Sequence, residues 1–248
     1  MESISLIIAS SLIIIPMIIS YRENLGLGKE IIVSIIRAII QLIVIGYILD
    51  TIFGIENLAF TIILVIIIIF NAGINTKNRG GQIKNVTVIS FISIAIGTLI
   101  TILVLVLSGS IKFTPNEIIP VAGMIVSNSM VAIGLSYRNL NTSFKNRRAE
   151  VEVKLSLGAD IKESSKDIIR ESIKLAIIPT IDSAKTLGIV SLPGMMTGLI
   201  LGGVPPMEAI KFQIMVTFMI LSSASISTLI ATYLCYKDFF NNRKQLKI

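Results

Sequence analysis

Seven long apolar runs dominate the chain, and nearly all of its basic residues sit in the polar stretches between them. The runs lie near residues 3–20, 31–49, 57–73, 88–107, 117–135, 186–203 and 210–235. About 20 helical residues cross a hydrocarbon core of about 30 Å. Inside that core every backbone N–H and C=O needs a partner within the protein, which leaves helices or closed barrels. Runs of this length predict an all-α, polytopic membrane protein with about seven transmembrane helices. Composition agrees, with 53% hydrophobic and 15% charged residues and a mean hydropathy of +0.86. A soluble domain carries roughly a quarter charged residues, so a soluble enzyme and a nucleic-acid-binding domain are excluded. The expected partner of this surface is the lipid bilayer, with no nucleic acid. The length fits one domain, a transmembrane domain spanning 1–248.

Basic residues orient the spans. Arg22 and Lys29 follow the first run, and Lys77, Arg79 and Lys84 follow the third. Ten Lys or Arg residues occupy 136–185, and Lys237, Arg243, Lys244 and Lys247 follow the last run. The alternate loops hold only Lys112 and, at a span edge, Lys211. Positive charge accumulates on the cytoplasmic side, so the N-terminus is expected outside and the C-terminus in the cytoplasm of a multi-pass inner (plasma) membrane protein. The five tyrosines, Tyr21, Tyr47, Tyr137, Tyr233 and Tyr236, fall near span ends, the layer that amphipathic rings prefer. The first run begins with Glu2 and offers no small-residue cleavage site at Ile19–Arg22, so it reads as a span rather than a signal peptide.

Missing residue types narrow the chemistry. Without His, imidazole relays and His-ligated metal sites are excluded. Cys235 stands alone, so no disulfide forms within the chain. Neither Gly26–Lys29 nor Arg79–Gly81 matches a phosphate-binding P-loop. Any ATP use belongs to another subunit, which would carry the ATP and Mg. No catalytic residue is expected in this chain.

Three spans are not plain. In the second, Ser34, Arg37, Ala38 and Gln41 share a helical face. Arg37 either lines a pathway or snorkels to the cytoplasmic surface, about two turns away. In the fifth, Pro120, Gly123, Ser127, Asn128 and Gly134 fit close helix packing or substrate contact. In the sixth, Gly194, Gly198 and Gly202 recur every four residues beside Pro193. That spacing predicts a close-packing face, and Pro193–Gly194 is a place for a helix break of the kind found at transport sites. Met195 and Met196 read as apolar filler or as thioether ligands for a soft cation; the metal site, if any, is unassigned. No Asp or Glu falls inside the seven runs, with Glu117 at an edge, which argues against a self-powered carrier.

Residues 136–185 form the one large polar segment. A helix ending at Gly158, a natural C′ residue, is expected there. Asp160 or Ser164 then caps a second helix that stops near Leu175, ahead of Pro179. Glu152, five residues, then Gly158–Ala159 resembles the cytoplasmic loop of ABC importer permeases, in which a short helix docks on the ATPase. Val153 and Lys154 depart from that pattern.

A closer resemblance covers nearly the whole chain. Asn146–Ala159, Ile178-Pro-Thr-Ile-Asp-Ser183, Gly188–Gly198, Glu208–Gln213, Ile119–Met124 and Asn128 are similar to the FetB/YbbM-type permeases. That resemblance implies the membrane subunit of an ABC transporter, paired as a homodimer and powered by a separate ATPase subunit. Bacterial members are described as iron exporters and plant relatives are linked to aluminium tolerance, so the machine is implied more firmly than its cargo. By the same resemblance, Arg147, Arg148, Glu152, Lys154 and Gly158 are the expected ATPase-coupling residues. A stand-alone channel or carrier for a small polar solute is the alternative.

Overall fold

The computed structural model describes residues 10–52 and 58–247. The described residues are helical apart from turns and two isolated bridges. Their contacts divide into two units, Met1–Glu56 and Asn57–Ile248.

The first unit is a helical hairpin. Helix α1 (Ile14–Arg22) and α2 (Gly28–Ile52) are joined by a turn in which the Leu27 N–H donates to Ser20 Oγ at 3.0 Å. The expected first span, 3–20, begins outside the described residues.

The second unit contains α3 (Leu58–Thr76), α4 (Val86–Leu107), α5 (Pro115–Asn146), α6 (Arg148–Ser156), α7 (Ile161–Thr186), α8 (Gly194–Leu201) and α9 (Pro206–Cys235). Of the described helices, α2, α3, α4, α5 and α9 are long and apolar enough to cross a membrane. Helix α5 is the hub and packs against α3, α4, α7 and α9.

Small residues set the spacing between these apolar rods. A Cβ on Gly97 of α4 would lie 3.2 Å from the Ser223 carbonyl of α9 and collide with Ser227 Oγ. On Gly73 of α3, a Cβ would lie 3.0 Å from the Thr87 carbonyl. Hydroxyls then bond across the contacts. Thr76 Oγ1 lies 2.7 Å from Ser90 Oγ, and Ser90 lies 3.0 Å from the Tyr137 hydroxyl. Ser136 and Thr232 are 2.7 Å apart. The first set puts Tyr137 level with Ser90, about 6 Å inside the α4 end nearest the 77–85 turn, at ~1.5 Å per residue.

Two expectations change. Pro179 does not end the second polar-loop helix, which runs on to Thr186. A proline costs one backbone bond, which a buried helix tolerates when neighbours support it, and α7 packs on both α5 and α9. The 186–203 run is likewise not one helix. Thr186 ends α7, residues 187–193 turn, and α8 is only eight residues long.

Candidate functional site

The turn between α7 and α8 has a clear local cause. Gly188 takes φ +80°, which only glycine adopts freely. Its N–H donates to the Ser191 carbonyl at 2.9 Å, and the Val190 N–H donates to the Thr186 carbonyl at 3.0 Å. Pro193 then sits in extended conformation as the N-cap of α8, outside the helix interior, where its missing N–H costs no intrahelical hydrogen bond.

A cavity of about 300 Å³ lies beside this break. Helix α5 lends Asn128, Val131 and Leu135; α7 lends Pro179, Thr180 and Ser183; α9 lends Gln213 and Thr217; and Pro193 closes one side. The Asn128 amide donates to the Met124 carbonyl at 2.8 Å, which leaves its oxygen available. Gln213 Oε1 is buried with no partner among the described residues. The wall is mostly apolar, with neutral amide and hydroxyl groups placed on it. Asn128 is nine residues beyond Tyr137, about 13 Å farther along α5, which puts the cavity near the middle of the span.

Asp182 lies on α7 between the cavity residues Thr180 and Ser183, without lining the cavity itself. It pairs with Lys185 at 2.9 Å, and the two side chains are 58% and 68% exposed.

Ser127 faces outward on α5, donating to the Met124 carbonyl at 3.1 Å. Met195 packs with Ile118, Val121 and Ile125 in a second apolar cluster, and Met196 is half-buried. Among the described residues no three His, Cys, Asp or Glu side chains converge as a metal site. The glycine face behaves differently from expectation: a Cβ on Gly194 or Gly198 would meet nothing within 4 Å. Gly202 follows α8 as its C-cap, and a Cβ there would approach only carbonyls of that helix. Among the described residues no helix uses the glycine spacing for close packing. Arg37 and Gln41 belong to the first unit, one turn apart on an exposed face of α2 beside a shallow groove lined by Val33, Ile36 and Ile40.

The coupling segment is a separate construction. Helix α6 ends where expected, with Gly158 at φ +90°. The Ala159 N–H donates to the Lys154 carbonyl and the Gly158 N–H to the Leu155 carbonyl, both at 3.0 Å, the paired bonds of a Schellman cap. Asp160 caps α7 by accepting from the Glu163 N–H at 2.8 Å.

Ion pairs then clasp α6 to α7. Arg147 holds Glu150 at 2.7 Å and Glu171 at 3.1 Å; Lys154 holds Glu150 at 2.8 Å and Asp167 at 2.9 Å. The Arg147 hydrogen bonds, then that of Lys154, hold the Glu150 carboxyl down at about 2. Lys154 lowers Asp167 in the same way. Of the expected coupling residues, Arg147 and Lys154 therefore spend their charge inside the chain.

Arg148 and Glu152, paired at 2.7 Å, line an open groove with Gly158. Its other wall is the segment after α9, with Arg243 and Lys244, which the sequence reading did not include. That segment is anchored by Phe239, stacked on Phe144 with ring centroids 4.4 Å apart. The Phe239–Phe240 pair followed by Arg243, Lys244 and Lys247 was the available signal.

Comparison with known proteins places this geometry in a family. Residues 3–240 match the uncharacterised protein family UPF0014. The chain is 51% identical over 244 residues to the probable iron export permease protein FetB of Escherichia coli K12, covering 98% of this chain and 94% of that protein. It is 37% identical to the protein ALUMINUM SENSITIVE 3 of Arabidopsis thaliana, covering 95% and 86%. It is 35% identical to the membrane protein YjkA of Bacillus subtilis, covering 100% and 99%. No solved structure matches.

Proposed function

The chain belongs to the UPF0014 family and is a multi-pass membrane protein, and from that premise we propose that it is the permease subunit of an ABC transporter. It exports iron or another metal species, as the name of the Escherichia coli relative says of that protein. ATP, with Mg, is hydrolysed in a separate ATPase subunit. The observation that carries this reading is α6: a short, capped helix clasped to α7, with Arg148 and Glu152 open on its far side. A helix built in this way transmits a push without bending.

Two copies pair around the pathway, and the sixth of seven crossings is broken, with α7 as its inner half and α8 as its outer half. The N-terminus lies outside and α6 in the cytoplasm, in the plasma membrane. The cavity at the break takes the cargo. Its amide and hydroxyl oxygens suit a weakly held hard cation or a whole metal complex, since it offers neither thiolate nor imidazole.

The test is ATPase activity of the reconstituted complex against a panel of metal salts and chelates. Stimulation by an iron species, abolished by Glu152→Lys while assembly in the membrane persists, is the expected result. Unchanged hydrolysis and transport in that variant would sink the docking role.

One observation favours the alternative of a stand-alone carrier. Asp182 places an ionisable group between the cavity residues Thr180 and Ser183, and proton-coupled carriers keep such a group at membrane depth. Transport by this chain alone in liposomes, driven by a pH gradient and lost in Asp182→Asn, would select that reading.

A further inference from the structure

On or beside α6 and α7, Arg147, Arg148, Lys154, Lys166 and Lys185 are paired with carboxylates. The turn between α3 and α4 is different. Arg79, Arg138 and Lys145 border one cavity of about 490 Å³, with Asn78, Gln82 and Asn141 among them, and no carboxylate lines it. None of the three cations has an ion-pair partner among the described residues.

This cavity is a fixed part of the fold. Asn141 of α5 donates to the Gly80 carbonyl at 2.9 Å and to the Tyr137 carbonyl at 2.8 Å, and accepts from the Gln82 N–H at 3.0 Å. Those bonds pin the turn to α5. Arg79 then lies across Gly134, where a Cβ would meet its Nη1 at 2.5 Å and its Cδ at 2.6 Å. The absence of a side chain at Gly134 is what lets the half-buried Arg79 stem rest on the helix, so its guanidinium is positioned by packing rather than swinging free. Arg138, Thr142 and Lys145 follow on one face of α5, at spacings that keep them aligned.

The level of the cavity identifies the ligand. It joins the end of α3 to the start of α4, two apolar helices, so it lies in the headgroup layer. Above it the walls turn apolar and exposed. Phe70 and Ile74 of α3 lead at four-residue spacing to Asn78 in the turn that follows. A ligand that fits has hydrocarbon along Phe70 and Ile74 and an oxyanion among the three cations. Arg matches phosphate geometry bidentately, and basic pockets between spanning helices favour anionic headgroups.

We propose that this cavity binds the phosphate of an anionic glycerophospholipid headgroup. The site is independent of the cargo and of ATP. The test is native mass spectrometry of the full-length protein in detergent with phosphatidylglycerol or phosphatidylcholine at equal concentration. The protein should retain one phosphatidylglycerol in preference to phosphatidylcholine. The double variant Arg138→Gln/Lys145→Gln, both at exposed positions, should bind it about tenfold more weakly or worse, since each basic group near a lipid surface contributes ~1 kcal/mol. Arg79→Gln should weaken it in the same direction, with melting curves confirming that the variants fold. Lys162→Gln/Lys174→Gln on α7 serves as the charge-matched control. Equal retention of the two lipids would overturn the proposal, as would an equal loss in the control pair. Displacement of the lipid by millimolar inorganic phosphate would also overturn it, by giving the site to a soluble oxyanion.

Discussion

The seam between α4 and α9 and the break between α7 and α8 both rely on glycine, with opposite consequences. At the seam, Gly97 is held so tightly that a Cβ would strike Ser227 and crowd the Ser223 carbonyl. At the break, Gly194 and Gly198 look out on open space within this chain. The seam has no conspicuous motif, whereas the break carries the tandem four-residue spacing associated with helix contacts. Spacing reports that a helix can be approached closely, and it says nothing of what approaches. The seam is closed by its own chain; the glycine face of α8 is left uncovered by the described residues.

The largest expected effect tests the seam. Gly97→Leu inserts four carbons where none fit, and overpacking costs about 1–3 kcal/mol. The variant should melt well below the parent and yield little monodisperse protein in detergent. Next comes the same substitution at the break. Gly198→Leu should shift the melting of the single chain by less than about 0.5 kcal/mol, yet abolish transport and cross-linking between copies. A melting loss in Gly198→Leu equal to that in Gly97→Leu would break the comparison.

A smaller and more selective effect is expected of Pro193→Ala. Restoring the N–H permits helix to form across the turn, while Gly188 at φ +80° still resists it. Transport should fall severalfold with expression unchanged. Full transport would mean that the bend does not shape the pathway.

The smallest effect lies outside both regions and serves as their control. Glu150→Gln loosens α6 on α7 through exposed ion pairs, which contribute at most ~1 kcal/mol. The sign follows from its depressed carboxyl. The clasp is intact above the ordinary carboxylate value and weakens as pH falls from about 4.5 toward about 2. Hydrogen exchange on α6 should rise over that window in the parent and be already raised in Glu150→Gln, with the α4 and α9 amides unmoved.

Much of this was legible in the sequence because it was local. The apolar runs locate α2 to α5 and α9, and Gly158 and Asp160 mark the end of α6 and the start of α7 through capping chemistry alone. The course of α7 past Pro179 was not legible. A proline inside a polar run reads as a stop unless the support of α5 and α9 is known. The split of the expected coupling residues, Arg147 and Lys154 inward and Arg148 and Glu152 outward, depends on Asp167 and Glu171, which helical register alone does not bring opposite them. Gly97 drew no attention because Ser223 and Ser227 lie more than a hundred residues away.

The stack of Phe239 on Phe144 has a consequence in time. Synthesis runs from the N-terminus, so Arg148 and Glu152 leave the ribosome long before Arg243 and Lys244. About 95 residues separate the two walls of the groove, roughly 5–20 s at ~5–20 residues per second. During that interval α6 presents half a surface. The groove gains its second wall only once α9 is in place and Phe239 has come back to Phe144. The aromatic stack thereby makes completion of the groove depend on the placement of α9, so that a chain with its last helix misplaced never carries both walls.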